Sequence, residues 1–225
     1  MEYVFLSPSW FFVYSVLLEA FFAVITMIIS IYGFRVYKLT EQKQLKTFGI
    51  AFLFISFSYI IQSVLNLVIL SKLDDDVALF IKLNSVYLLN LFGLYAHALF
   101  FITGLFLLTY ITLNINSNRV MLLFLSVLLM AVLLSTNKIF LFYVLSSVLL
   151  IFTVWYYFSN YLKKKSVNTL LVLLAMIFLL FGTLHLMYSV ENEVYYVIGH
   201  ILEFIAYALL LTNLVIILKH GKKKG

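Results

Sequence analysis

The sequence has no cysteine, a single proline and few charges. Without cysteine, the chain cannot form disulfides, thiolate metal sites or a cysteine nucleophile. Pro8 precedes the first long apolar run, so no proline breaks a long apolar segment as in many transporters. Only 11% of the residues are charged and 65% are hydrophobic, and the mean hydropathy is +1.13. Soluble domains carry about 25% charged residues, so this composition excludes a soluble fold.

Seven apolar segments are candidates for membrane spans. A span needs about 20 residues, because the hydrocarbon core is about 30 Å thick and an α-helix rises about 1.5 Å per residue. We expect one all-α domain over residues 1–225 with spans at about 10–35, 47–71, 86–112, 120–135, 139–162, 168–190 and 194–218. Residues 78–85 are expected to be a surface-lying lead-in to the third span. The fourth segment is short, so six spans with one re-entrant segment stay an alternative.

Basic residues are divided unequally between the two sets of connecting segments. One set holds only Lys72, Lys82 and Lys138, whereas the other holds Arg35, Lys38, Lys43, Lys46, Arg119, Lys163, Lys164, Lys165, Lys219, Lys222, Lys223 and Lys224. This asymmetry predicts a multi-pass protein of the cell membrane with its N-terminus outside and its C-terminus in the cytoplasm. It also attributes the net charge of +6 to topology and anionic lipid. The lipid bilayer is therefore an expected partner, and nucleic acid is not.

Five ionisable residues lie inside the predicted spans, namely Glu19, His97, His185, His200 and Glu203. Counted at about 1.5 Å per residue, all five fall in the outer half of the membrane. Such residues are costly in hydrocarbon and usually face the interior of a bundle. His200 and Glu203 are three residues apart, which places them on one helix face. We therefore predict a polar pocket that opens outward.

Polar and small residues extend the predicted pocket along neighbouring helices. The third span carries Asn90, Gly93, His97 and Gly104 on one stripe, and its glycines favour close approach of another helix. Further candidates for binding a ligand are Glu19, Gln62, Asn66, Tyr196 and Tyr207, with Tyr59 on the same stripe as Gln62. We expect spans 1, 2, 3, 6 and 7 to surround the pocket, with spans 4 and 5 peripheral or at the interface of a homo-oligomer.

The ionisable set suits a transition-metal ion. His97, His185, His200 and Glu203 supply three imidazoles and a carboxylate, which are ligands for zinc, iron, manganese or copper. Haem b, held by two of the histidines, is an alternative cofactor. The sequence assigns no catalytic residue, so an enzyme dependent on metal or haem stays a further alternative.

The layout of the chain resembles the seven-helix membrane sensor regions of prokaryotic histidine kinases and related signalling proteins. The shared features are seven spans, an outside N-terminus, a polar outer pocket and a last helix that runs into a charged tail. These 225 residues contain no output domain, so the resemblance implies a sensor or receptor with a separate cytoplasmic signalling partner. The main alternative is a proton-coupled transporter that uses Glu19 and Glu203. Purely structural roles for the five residues are also possible.

Overall fold

Apart from short connections and turns, the part of the chain that the structure describes is helical. The computed structural model describes residues 8, 10–74, 79–113, 115, 117–189 and 191–222, with side chains for 8, 10–69, 88–113, 115, 117–189 and 191–219. These residues form seven helices: α1 (Phe12–Thr40), α2 (Lys43–Asp74), α3 (Leu79–Leu113), α4 (Asn118–Leu134), α5 (Lys138–Lys164), α6 (Val167–Tyr188) and α7 (Glu193–Lys222). The prediction of an all-α fold is confirmed. The side chains of Lys72, Lys82, Lys222, Lys223 and Lys224, which enter the predicted charge asymmetry, lie outside the described residues.

Six of these helices are long and apolar enough to cross a membrane. They are Phe12–Thr40, Lys43–Ile69, Leu88–Leu113, Lys138–Lys164, Val167–Tyr188 and Glu193–Lys219. Helix α4 has 17 residues, which is about 25 Å of helix against a hydrocarbon core of about 30 Å. The chain is therefore a multi-pass membrane protein.

Short connections with local caps keep consecutive helices adjacent. Helix α1 ends where Glu41 adopts a left-handed conformation with φ of 56° and its N–H donates to the carbonyl of Tyr37. Lys165 ends α5 in the same way, with its N–H on the carbonyl of Tyr161. Ser166 then caps α6, because its side chain accepts from the N–H of Thr169. The α5–α6 connection therefore spans only Lys165 and Ser166.

Six helices form a closed ring in the order α1, α2, α3, α5, α6 and α7, with α7 returning to α1. Helix α4 lies outside this ring against α3 and α5, and only its Val132 is buried. The prediction that the fourth segment is peripheral is confirmed, but the same prediction for the fifth is wrong. Helix α5 fills the ring between α3 and α6 and buries residues such as Phe142 and Leu150. Its lipid-facing side is also apolar, so hydrophobicity alone gives no contrast between its two faces.

Helices α2 and α3 approach closely at Gly104. A Cβ atom at this position would lie 2.5 Å from Cγ1 of Ile55 and 2.8 Å from the carbonyl oxygen of Ala51. The predicted role of this glycine in close helix packing is confirmed. Helix α3 itself runs unbroken from Leu79, so the expected lead-in is continuous with the span. Residue 78 and the side chains of 79–85 lie outside the described residues.

Candidate ligand site in the helix ring

A buried imidazole and a buried carboxyl group meet on α7. Nδ1 of His200 lies 3.2 Å from Oε2 of Glu203, and the two residues are 6% and 3% exposed. The spacing of three residues places both side chains on one face of the helix. Nε2 of His200 is buried and has no hydrogen-bond partner among the described residues. The predicted placement on one helix face is therefore confirmed, and the contact with Glu203 leaves one ring nitrogen of His200 without a partner among the described residues.

Two tyrosines connect this pair to α2. The hydroxyl of Tyr59 lies 3.4 Å from Oε1 of Glu203 and donates to it. The hydroxyl of Tyr207 donates in turn to that of Tyr59 at 3.1 Å. Both rings contact Phe22 of α1, with centroid distances of 5.3 Å and 4.9 Å. The carboxyl group of Glu203 is thus held by His200 of its own helix and by Tyr59 of α2.

A second buried carboxyl group lies on α1. Glu19 is 2% exposed, and Nδ2 of Asn66 lies 3.2 Å from its Oε1 and 3.0 Å from its Oε2. No lysine, arginine or histidine pairs with Glu19 within the described part of the chain. The ring therefore encloses two acidic groups, of which one has only a neutral amide partner.

Aromatic rings enclose His200. Tyr196 meets its ring edge-on with a centroid distance of 4.4 Å, Phe11 stacks on it at 6.1 Å and Phe22 lies at 6.4 Å. Phe11 and Phe22 precede and follow Glu19 on α1. Residues 11, 15, 19 and 22 share one face of a helix. Glu19 therefore lies on the stretch of α1 that faces the imidazole of His200.

His97 lies near these groups but has its own partner. Its Nδ1 is 2.7 Å from the hydroxyl oxygen of Ser58 on α2. Its ring stacks on Phe101 at 5.4 Å and meets the edges of Phe142 at 5.5 Å and Tyr59 at 5.6 Å. His97 thus packs on the side of Tyr59 toward α3 and α5. It supports the tyrosine that binds Glu203.

His185 has partners other than the His200 pair. It is half-buried, its Nδ1 lies 2.7 Å from the carbonyl oxygen of Phe181, and its ring contacts Tyr195 at 5.9 Å. The face of α6 nearest to Glu203 contains Gly182, where a Cβ atom would lie 3.2 Å from Cγ of Glu203. No group of three or more His, Cys, Asp or Glu side chains suited to a metal occurs among the described residues. A metal site formed by all four predicted ligands stays a prediction.

The remaining predicted binding residues take different positions. Asn66 binds Glu19 as described, and Tyr196 and Tyr207 are buried beside His200 and Tyr59. Gln62 lies on α2 between Tyr59 and Asn66, and its Oε1 is buried without a partner in the described part of the molecule. Asn90 is exposed. The structure therefore brings all of these residues except Asn90 to the interior of the ring.

Sequence reasoning missed the apolar residues that enclose the site. Phe11 and Phe22 share a helix face with Glu19, and this spacing is the signal that identifies them. Ser58, the partner of His97, also escaped notice, since a serine in a membrane helix commonly bonds to backbone. In so apolar a chain, a phenylalanine can be assigned to a site only from its position relative to a buried charged residue.

Hydroxyl groups in the other half of the ring are satisfied by backbone. Ser30 donates to the carbonyl of Gly49 at 2.7 Å, and Ser56 donates to that of Ala23 at 2.8 Å. Thr26 donates to the carbonyl of Phe22 at 2.7 Å. These contacts join α1 to α2 or lie within α1. The acidic groups and the imidazoles are thus concentrated in the half of the ring that contains the start of α1 and of α7.

Comparisons with known proteins assign no family to this chain. No family model, no curated protein and no solved structure matches it.

Proposed function

We propose that the protein is a membrane receptor or sensor whose site at His200 binds a small cationic ligand. The unpartnered Nε2 of His200 carries this proposal. When the Nδ1 proton is donated to Glu203, Nε2 holds a lone pair that accepts a hydrogen bond or ligates a metal ion. A buried polar atom without a partner costs free energy of about 1–3 kcal/mol. A ligand that binds Nε2 removes this cost.

The charges around the site favour a cation. The only hydrogen-bond partner of Glu19 among the described residues is the neutral amide group of Asn66. The two carboxyl oxygens of Glu203 contact His200 and Tyr59, one oxygen each. Isolated carboxylates are costly in a membrane interior, and they become tolerable when a positive charge lies beside them. A transition-metal ion, as the sequence predicts, and a protonated amine both supply that charge.

The contacts of Glu203 offer a route from the site to the rest of the ring. Its carboxyl group accepts a hydrogen bond from Tyr59 on α2. A ligand that draws His200 away from Glu203 therefore changes the hydrogen bond between Tyr59 and Glu203, which joins α2 to α7. Helix α2 begins at Lys43, and the lysines 38, 43 and 46 flank the turn between α1 and α2. We infer that ligand binding changes the conformation of this turn, and that a cytoplasmic signalling partner responds to that change. The resemblance to sensor regions supports the same assignment.

The proposed topology has seven spans in the cell membrane, with the N-terminus outside. The unequal distribution of lysine and arginine supports this orientation, which places the His200 site in the outer half of the membrane. Because α4 is short, it crosses the membrane only where the bilayer thins or its flanking residues reach the interface. Homo-oligomerisation through the exposed face of α4 is part of the proposal.

Proton-coupled transport is the second candidate. It is supported by the two buried carboxyl groups of Glu19 and Glu203, because carboxyl groups in a membrane interior commonly exchange protons. A transport path also requires polar groups across the full membrane. Ser30 and Ser56 instead use their hydroxyls on backbone carbonyls, which favours the receptor assignment.

The test measures cation binding to the purified protein, prepared without chelator and without a polyhistidine tag. Metal analysis and an absorption spectrum come first, followed by calorimetric titration with Zn²⁺, Mn²⁺, Cu²⁺ and methylammonium. We expect at least one cation to bind, and binding to be lost in His200→Ala. His185→Ala is the matched control and should bind like the wild type. Equal binding by all three proteins, or binding of no cation, contradicts the proposal, and a Soret band would indicate haem.

A further inference from the structure

We propose that the ligand is a lipophilic primary amine. Its ammonium group binds between Nε2 of His200 and the carboxyl group of Glu19, and its apolar tail lies in a groove between α1 and α7. This inference rests on the proposed function and specifies the ligand of that site.

The site contains more acceptors than donors. The carboxyl oxygens of Glu203 receive one donor each, from Tyr59 and His200. Both oxygens of Glu19 share the amide group of Asn66, and Nε2 of His200 receives no donor within the described residues. A primary ammonium carries three donors and no acceptor. It therefore supplies donors to the acceptors of the site, whereas a carboxylate ligand would add further acceptors.

Aromatic rings form the walls where the ammonium is placed. Phe11, Phe22 and Tyr196 surround the imidazole of His200 with centroid distances of 6.1, 6.4 and 4.4 Å. The faces of such rings attract cations, more strongly where water is excluded. Zinc, by contrast, takes three or four protein ligands, and no group of three metal-binding side chains occurs among the described residues. The enclosure thus favours an organic cation over a bare metal ion.

An apolar groove adjoins the site on the outside of the ring. It has a volume of about 460 Å³, within the range of small-molecule sites, and is lined by Trp10, Phe11, Tyr14, Leu17, Leu18, Val197 and Ile201. Phe11 lines the groove and also stacks on His200. The groove and the imidazole are thus separated by a single aromatic ring. An amine that enters from the membrane can keep its tail in the groove while its ammonium passes Phe11.

The experiment compares 2-phenylethylamine with the neutral 2-phenylethanol, titrated calorimetrically into the full chain in lipid nanodiscs. We expect the amine to bind and the alcohol to bind at least about tenfold more weakly, because the charge-assisted hydrogen bonds are missing. Glu19→Gln should weaken amine binding by about tenfold or more while its amide still bonds to Asn66, which preserves the fold. Glu41→Gln, an exposed change beyond α1, is the control and should leave binding unchanged.

A second pair of variants tests the tail. Ile201→Trp fills the groove and should weaken phenylethylamine binding while methylammonium binding stays unchanged. Phe204→Trp, a similarly exposed position of the same helix that does not line the groove, should weaken neither. Equal binding of amine and alcohol, or no effect of Glu19→Gln, overturns the inference. Zinc binding that depends on His200, with no amine binding, overturns the inference but leaves the proposed function standing.

Discussion

Nδ1 of His200 lies 3.2 Å from Oε2 of Glu203, and the opposite ring nitrogen of His200 is buried without a partner in the described structure. A carboxylate that accepts from one imidazole nitrogen fixes the ring orientation and raises the basicity of the other nitrogen. The sequence-based assignment placed Glu203 among the ligands. In the proposed function, Glu203 orients His200 and Nε2 is the atom that binds.

Replacing Glu203 with Gln should weaken cation binding without removing the site. The amide keeps the volume of the side chain but loses its charge, so His200 is held less firmly and its Nε2 is less basic. Loss of such an orienting carboxylate typically costs about 10–100-fold in affinity. Titration calorimetry with the cation that binds the wild type measures the effect. Glu193→Gln, an exposed change on the same helix, is the control, and equal affinities in both variants would contradict this role.

Replacing Tyr59 with Phe should destabilise the helix ring. The change leaves Oε1 of Glu203 without its donor from α2 and the hydroxyl of Tyr207 without its acceptor. We expect the free energy of unfolding to fall by about 1–3 kcal/mol, measured by denaturation in mild detergent. Tyr14→Phe alters an exposed tyrosine and should have little effect. A stability for Tyr59→Phe equal to that of the control would show that the hydroxyl chain contributes nothing.

Replacing Gly104 with Ala should separate α2 from α3. The new methyl group would lie 2.5 Å from Ile55 and 2.8 Å from the carbonyl oxygen of Ala51, so backbone must move. We expect a loss of about 1–3 kcal/mol in the free energy of unfolding, as for other overpacked positions. At Gly93 the added Cβ meets only the side chain of Leu65, at 3.1 Å or beyond, so Gly93→Ala should cost less. The reverse order in thermal unfolding would contradict the packing described.

The absence of cysteine makes the topology directly testable. Single cysteines at Asn118 and Thr136 flank α4, which ends at Leu134, and both positions are exposed. With seven spans, a membrane-impermeant maleimide should label Thr136→Cys on intact cells and Asn118→Cys only after permeabilisation. Trp10→Cys and Glu41→Cys, which lie before and after α1 and keep their sides in both topologies, serve as the outside and inside references. Labelling of Asn118→Cys and Thr136→Cys from the same side would favour six spans and a re-entrant α4.

Much of the site was accessible from the sequence because charge stands out in an apolar chain. The pairing of His200 with Glu203 follows from their spacing of three residues, and the burial of Glu19 follows from its cost in hydrocarbon. The contacts of His185 were not accessible. Its Nδ1 lies 2.7 Å from the carbonyl oxygen of Phe181, and its ring contacts Tyr195. Spacing along a helix indicates which residues share a face, but it does not indicate which side chain of a neighbouring helix each of them meets.

The position of α5 within the ring could not be predicted from the sequence, for a related reason. Both faces of this helix are apolar, since one packs against α3 and α6 while the other carries exposed residues such as Phe152 and Trp155. In a soluble protein, polarity would separate these faces. In a membrane helix, small and hydroxyl residues give the weaker signal, and on α5 these are the buried Ser146, Ser147 and Thr153.

The most direct test of the account is the ¹⁵N NMR spectrum of the histidine ring nitrogens, with His200→Ala to assign the resonances. We predict that the His200 ring carries its proton on Nδ1 rather than on Nε2, and that its Nε2 resonance shifts when the bound cation is added. Resonances of His185 should stay unchanged in the same titration. A proton on Nε2 of His200, or an Nε2 resonance that no cation alters, would contradict the claim that this nitrogen is the binding atom.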